Sequence, residues 1–296
     1  MTMNFDIGDG VDAVVNYVLD NFSPFLDFVA TVIGFVTNTI QDTLTAIPMP
    51  LGVLIFVVLS FWRVGVGFGV LAGLALWLVD HMGLWTAMME TLSLVIASTL
   101  MAMLIGLPLG IAMARKDSVA GGVRPVLDLM QTMPAFVYLI PAAMFFGLGA
   151  VPGAIATVIF AMPPVVRLTN LGIRQVHVEF IEAGNAFGCT SAQLLFKVQL
   201  PNAMPSIMAG INQTIMLSLS MVVIASMIGA GGIGNTVLTG IQRLDVGTGF
   251  EGGLAVVILA VILDRLTQSL GKPHAAIWSG LFTRKSQPKE LSPVTA

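Results

Sequence analysis

Seven apolar runs, at residues 50–64, 65–80, 88–114, 126–148, 150–166, 206–230 and 252–270, leave this chain few folds to choose from. Backbone placed in hydrocarbon must satisfy its own hydrogen bonds, so a spanning segment is a helix or part of a closed barrel. A barrel needs segments of about ten residues with alternating polarity, and these runs do not alternate. The composition agrees. Of the residues, 56% are hydrophobic and 10% charged, with a mean hydropathy of +0.92, against about 25% charged in soluble domains. The expectation is an all-α integral membrane protein with about six to seven transmembrane helices. Whether 50–80 forms two helices or one long one is open, because the first two runs abut at Arg63.

Basic residues orient the spans. With seven spans and an outside N-terminus, twelve of the thirteen Lys and Arg fall on the cytoplasmic side, and Arg243 alone lies outside. That bias is what the positive-inside rule describes. It places the loop 168–205 and the C-terminus in the cytoplasm, and the N-terminus on the periplasmic side. Merging the first two spans would move only the N-terminus. Met1–Gly10 is acidic and lacks the basic start of a secretory signal, so no cleaved leader is expected. Cys189 stands alone and implies no internal disulfide.

Residues 11–46 follow a different rule. Val15, Val18, Leu19 and Phe22, and after Ser23-Pro24 the set Phe25, Phe28, Val29, Val32 and Val36, recur at helical spacing between polar positions. Such segments lie along an interface more readily than they cross it. Two amphipathic helices on the outer leaflet or packed across the spans are expected, with 25–47 as an extra span the alternative.

Within the runs, Pro134 and Pro141 lie seven apart on one helix face, and Pro163-Pro164 are expected to end the fifth run. Gly69-Val-Leu-Ala-Gly73 and Gly106-Leu-Pro-Leu-Gly110 allow close helix approach.

The middle of each span lacks an ionisable side chain; Glu90, Asp128, Asp264 and Arg265 sit near helix ends. A self-powered carrier usually needs a charge at membrane depth. Gly271-Lys272 is followed by Pro273 without the glycine spacing of a phosphate-cradling loop. His81, His177 and His274 match no metal-ligand spacing. No catalytic, metal or cofactor site is expected, and energy for uphill transport would come from another subunit.

The polar stretch from Arg167 to Pro205 carries the sharpest signal. Glu179–Phe187 reads as a short amphipathic helix stopped at Gly188. Thr190 or Ser191 can cap a second helix, Ala192–Leu200, that ends before Pro201. The spacing Glu182-Ala183-Gly184, three residues, Gly188, nine residues, Val198, two residues, Pro201 resembles the EAA loop of ABC-importer membrane subunits, with Gly184 in place of the second Ala and Val198 in place of Ile. Arg124–Pro141, Pro163–Gln175 and Ala209–Gly234 are similar to the permease subunits of glycine betaine/proline betaine importers.

That resemblance implies the transmembrane domain of a type I ABC importer. It implies two ATPase subunits that bind ATP in place of this chain, a separate extracytoplasmic solute-binding protein and a second permease copy as homodimer, with membrane lipids around them and no nucleic acid. Glu182, Ala183, Gly184, Gly188, Val198 and Pro201 would form the ATPase contact. The expected division is 1–47 extracytoplasmic segment, 48–84 peripheral helices, 85–271 transport core and 272–296 cytoplasmic tail, partly disordered. A solute path is expected along Gln131, Thr132, Phe136 and Tyr138, facing Met216 and Ser220, where polar and aromatic groups meet the proline kinks. Gly229–Gly234 follows a membrane helix rather than a strand and is expected to end that helix near the outer gate. The competing classes are an ion-coupled secondary carrier or channel, and a non-transporting scaffold. Choline, carnitine, a betaine or dimethylsulfoniopropionate would all suit the importer.

Overall fold

Three long helices merge into one block because glycine removes the side chain where they cross. The computed structural model describes residues 7–271, and the expectations for 272–296 lie outside the described residues. The helices at the centre are α4 (Trp85–Arg115), α7 (Ala150–Arg174) and α10 (Leu200–Ala225). On α4, a Cβ at Gly106 would fall 2.6 Å from Val165, and one at Gly110 would fall 2.7 Å from the backbone oxygen of Val166. On the other side of α7, a Cβ at Gly210 would lie 3.1 Å from the Val165 Cα, and one at Gly172 would lie 2.7 Å from Ser206. The pairings make α4 parallel to α7 and α10 antiparallel to both. Backbones this close gain dispersion contacts that lipid tails cannot match, which is how membrane helices associate.

The open question over 50–80 resolves into two helices, α2 (Met49–Arg63) and α3 (Val66–His81), broken at Gly65. They form a hairpin in which Gly69 faces the Phe61 ring and Gly73 faces Val57. At 15 and 16 residues they measure roughly 22–24 Å, short of the roughly 30 Å hydrocarbon core. The hairpin packs through Ala72, Leu76 and Val79 onto Met88, Leu92, Ile258 and Ile262, the largest buried cluster.

Four expectations change. Residues 11–46 form not two helices but one, α1 (Ile7–Thr45), which continues through Pro24. A single proline removes one rung of the ladder. Two of its threonines bond backward within the helix, Thr31 to the Asp27 carbonyl and Thr37 to the Ile33 carbonyl. Residues 15–45 are long and apolar enough to cross a membrane. Gly34 meets Val151, and Val29 and Ile33 share a wholly apolar crevice with Leu104, Ile105, Val158 and Ile159. By that order α1 runs antiparallel to α4 and α7.

The run at 126–148 is not one kinked helix. It divides into α5 (Asp117–Thr132) and α6 (Ala135–Phe146), which meet at 101°. Met133, forced out of the helical region by the following proline, is extended at ψ 135°; Pro141 leaves α6 unbroken. Conversely, Pro163-Pro164 do not stop α7, which holds its course to Arg174 with Val165 and Val166 fully buried between α4 and α10. Tertiary packing here outweighs the proline penalty.

The second loop helix does not end before Pro201. α9 (Ser191–Leu194) continues through one widened turn, Leu195–Gln199, into α10. Widening the ladder by one residue lets Pro201, which has no N–H to donate, sit in the first turn of α10. Two further helices complete the chain, α11 (Ile233–Arg243), absent from the sequence reading, and α12 (Val246–Leu270). They join at Asp245, whose carboxylate accepts from the Thr248 N–H and hydroxyl and is held below its ordinary pKa chiefly by those bonds.

Candidate functional site

The loop between α7 and the α9–α10 rod is short and built. It contains α8 (Val178–Ala186), which ends where Gly188 takes φ +74°. There the Phe187 N–H donates to the Ala183 carbonyl at 3.0 Å, and the Cys189 N–H donates to the Gly184 carbonyl at 3.0 Å. A left-handed glycine with such a pair of bonds closes a helix end. Two residues on, Thr190 starts the next helix with a reciprocal cap: Gln193 N–H to the Thr190 hydroxyl at 3.3 Å, and Thr190 N–H to the Gln193 side-chain oxygen at 2.8 Å. The corner is therefore fixed by its own hydrogen bonds on both sides.

Gly184 is the contact between the two arms. It is buried, and a Cβ there would lie 2.7 Å from Leu194 Cδ1 and 3.8 Å from Val198 Cγ2. Glu182, Ala183 and Gly188 remain open to solvent, as does Phe187, exposed to 89%. Of the six residues of the expected contact, three thus face outward, Gly184 and Val198 face each other, and exposed Pro201 begins the rod that runs into the membrane. Because Leu194 Cδ1 is the end of a flexible side chain, Gly184→Ala is expected to be accepted, with a change in thermal unfolding within about 1 kcal/mol. A loss of folded protein on gel filtration would contradict this.

Ionic ties brace the same end of the molecule. Arg174, at the foot of α7, donates to the Met113 carbonyl at 2.7 Å, the Asp117 carboxylate at 2.7 Å and the Asn170 side-chain oxygen at 2.9 Å. It joins the end of α4, the start of α5 and α7. Arg167 pairs with Asp128 of α5. In the sequence these arginines registered only as basic charge; the signal available was two acids of α5 eleven residues apart, on the same helix face.

The expected path residues separate. Gln131, Thr132 and Phe136 line the exposed corner between α5 and α6, Ser220 is exposed on α10, and Met216 is half-buried. Tyr138 is buried instead, its hydroxyl donating to the Met130 carbonyl and its ring edge-on to Phe160. Among the described residues no group of three or more His, Cys, Asp or Glu is placed to hold a metal ion.

The family described as "Binding-protein-dependent transport system inner membrane component" matches residues 106–272. The chain is 50% identical to the glycine betaine/proline betaine transport system permease protein ProW of Escherichia coli (strain K12), over 87% of this chain and 73% of that protein. It is 51% identical to the glycine betaine/carnitine transport permease protein GbuB of Listeria monocytogenes serotype 1/2a (strain 10403S), over 86% and 92%. It is 47% identical to the glycine betaine transport system permease protein OpuAB of Bacillus subtilis (strain 168), over 89% and 94%. Among solved structures it is similar to the MetNI methionine ABC transporter in an inward-facing form, with TM-score 0.56 and 23% identity, over 66% of this chain and 95% of that one. That likeness speaks for the fold, and the sequence matches for the lineage. With the family profile covering residues 106–272, from the last turns of α4 through α12, and 50% identity to ProW over 258 residues, the chain belongs to the binding-protein-dependent transport system inner membrane components.

Proposed function

We propose that this chain is the permease of an ATP-driven importer for glycine betaine and related quaternary ammonium solutes. One observation carries the coupling half: α8 is a short helix whose C-terminal corner is closed by hydrogen bonds on both sides and whose Gly184 is seated on the α9–α10 rod, so force on its open face is delivered to a membrane helix. The names of the relatives support the solute class. In this reading α8 lies in the cytoplasm and presents Glu182, Ala183, Phe187 and Gly188 to an ATPase subunit. Two ATPases, a second permease copy and an extracytoplasmic solute-binding protein complete the machine. In this reading ATP is bound and hydrolysed by the partner, since Gly271-Lys272 lacks the glycine spacing of a phosphate-cradling loop.

The same orientation revises the N-terminus. With α1 crossing the bilayer antiparallel to α4, residue 7 lies on the cytoplasmic side, where Arg63, Arg115 and Arg174 also gather, and not on the periplasmic side. The solute passes the open corner of Gln131, Thr132 and Phe136, and buried Tyr138 braces that corner from behind. Capture of a trimethylammonium group by cation–π attraction belongs to the binding protein, and the pore holds the solute weakly. The name of the GbuB relative, glycine betaine/carnitine permease, favours carnitine as a second solute.

The test is reconstitution. Vesicles holding this chain with its ATPase, given binding protein outside and ATP inside, are expected to accumulate labelled glycine betaine. Omission of ATP, ATPase or binding protein should each abolish accumulation. Accumulation by this chain alone would end the proposal.

A further inference from the structure

The turn between α10 and α11 is held shut by a residue pair 142 positions earlier in the chain. It spans Gly229–Gly232, and Gly229, Gly231 and Gly232 all have φ between +75° and +84°. Past the turn, α11 and α12 pack as a unit in which an added Cβ on Gly240 would fall 2.5 Å from the Gly249 backbone. The turn therefore joins the α4–α7–α10 block to the α11–α12 hairpin through a segment made mainly of the most pliable residue.

Two side chains of α4 cross this joint. The Glu90 carboxylate accepts from the Gly232 N–H at 3.0 Å, and the Thr91 hydroxyl accepts from the Ile233 N–H at 2.8 Å. Thr91 is anchored in turn, donating to the Ala87 carbonyl at 3.0 Å. The fit is close: a Cβ on Gly232 would sit 2.4 Å from the Thr91 hydroxyl oxygen. The block side of the joint is fixed separately, by the Gly149 N–H donating to the Ile228 carbonyl at 2.9 Å and by Ala230 seated against Gly153. Glu90 is half-buried, and among the described residues no cation lies within ion-pair distance. A carboxylate kept at a helix start inside a membrane protein without a cation costs stability; here it meets the first N–H groups of α11, where a negative group is favoured.

We propose that Glu90 and Thr91 are the positioning residues of the outer gate: they latch the first turn of α11 to α4 and keep the outer end of the subunit closed until the ATPase drives it open. This rests on the importer reading above for the source of the force; the latch itself can be tested without it. Glu90→Ala and Thr91→Val each remove one acceptor, while Glu90→Gln keeps an oxygen at the same place.

Two readouts are needed. In the first, Ile233→Cys, fully buried on the first turn of α11 with its backbone N–H retained, is placed in a Cys189→Ser background and labelled with a membrane-impermeant maleimide in the nucleotide-free complex. Glu90→Ala is expected to raise the labelling rate about fivefold, the factor set by one net hydrogen bond, with Glu90→Gln within about twofold of the parent. In the second, basal ATP hydrolysis of the reconstituted complex without binding protein is expected to rise by a similar factor in Glu90→Ala, while betaine carried per ATP falls. Misfolding would lower hydrolysis, so a rise separates a gate from a merely structural role. Unchanged labelling in both Glu90→Ala and Thr91→Val would overturn the latch, and equal effects of Glu90→Gln and Glu90→Ala would overturn the hydrogen-bond assignment. If wild-type uptake proved independent of ATP but the labelling shift appeared, the importer reading would fall and the latch would stand.

Discussion

Gly188→Val is expected to cut ATP-driven uptake about five- to thirtyfold while leaving the chain inserted in the membrane. Gly188 holds φ +74°, and a Cβ there would meet nothing within 4 Å. The penalty is therefore conformational and not a clash. A left-handed residue with a side chain costs roughly 1–2 kcal/mol, and more when branched at Cβ. Relief comes by unwinding the end of α8, which breaks the Cys189 to Gly184 bond and turns Phe187 and Glu182 away from their present face. A shift of that size alters the population of the productive foot by roughly five- to thirtyfold, and in the proposed mechanism that foot is used in every cycle. Gly188→Asn, which tolerates the left-handed region, is expected to retain most uptake. Glu182→Lys supplies the electrostatic counterpart. Glu182 is exposed and has no hydrogen-bond or ion-pair partner among the described residues, so reversing its charge leaves the fold alone and alters only what docks there. Uptake in vesicles and co-purification of the ATPase measure both variants. Full uptake by Gly188→Val would remove the foot from the mechanism.

The parts legible in the sequence are those that depend on local chemistry or spacing. Gly188 as a helix stop, Thr190 as a cap and the Gly106/Gly110 pair as a close-contact stripe all follow from one residue type at one place, and all three recur in the structure. The misreadings share a cause. Pro24, Pro163, Pro164 and Pro201 read as breaks, yet α1, α7 and the α9–α10 rod pass through them. A proline forfeits only one local bond, and in α7 burial on both sides of Pro163-Pro164 outweighs that loss, which spacing does not report. Pro134 differs because Met133 before it is extended at ψ 135°, which ends α5 there. α11 was missed because its eleven residues mix Asn235, Thr236, Thr239, Gln242 and Arg243 with a few apolar positions. The partners that fix its start, Glu90 and Thr91, lie 142 residues away. The Arg174 tie to Met113 and Asp117 also joins distant residues, 61 and 57 positions apart, and only the spacing of the two acids of α5 hinted at it.

Replacing Gly110 by Leu is expected to be the most damaging single change in the membrane core. An added Cβ would fall 2.7 Å from both the Val166 backbone oxygen and Thr169 Cβ, and neither can rotate away. Accommodation requires α4 and α7 to separate along their inner halves. Overpacking a core costs about 1–3 kcal/mol when neighbours can adjust, and here the neighbour is main chain, so the upper end or beyond applies. The separation would also pull the end of α4 from Arg174, whose bond to the Met113 carbonyl is 2.7 Å long, and loosen the platform on which α7 carries α8. Loss of packing and loss of coupling then arrive together. Gly121, on α5, provides the control, since a Cβ there meets nothing within 4 Å. Gly121→Leu, which makes the same chemical change on an open helix face, is expected to give normal yield, normal thermal unfolding and normal uptake. Gly110→Leu should give little detergent-stable protein and no uptake. If the two variants purified and melted alike, close approach of α4 to α7 at Gly110 would not be what holds this transporter core together.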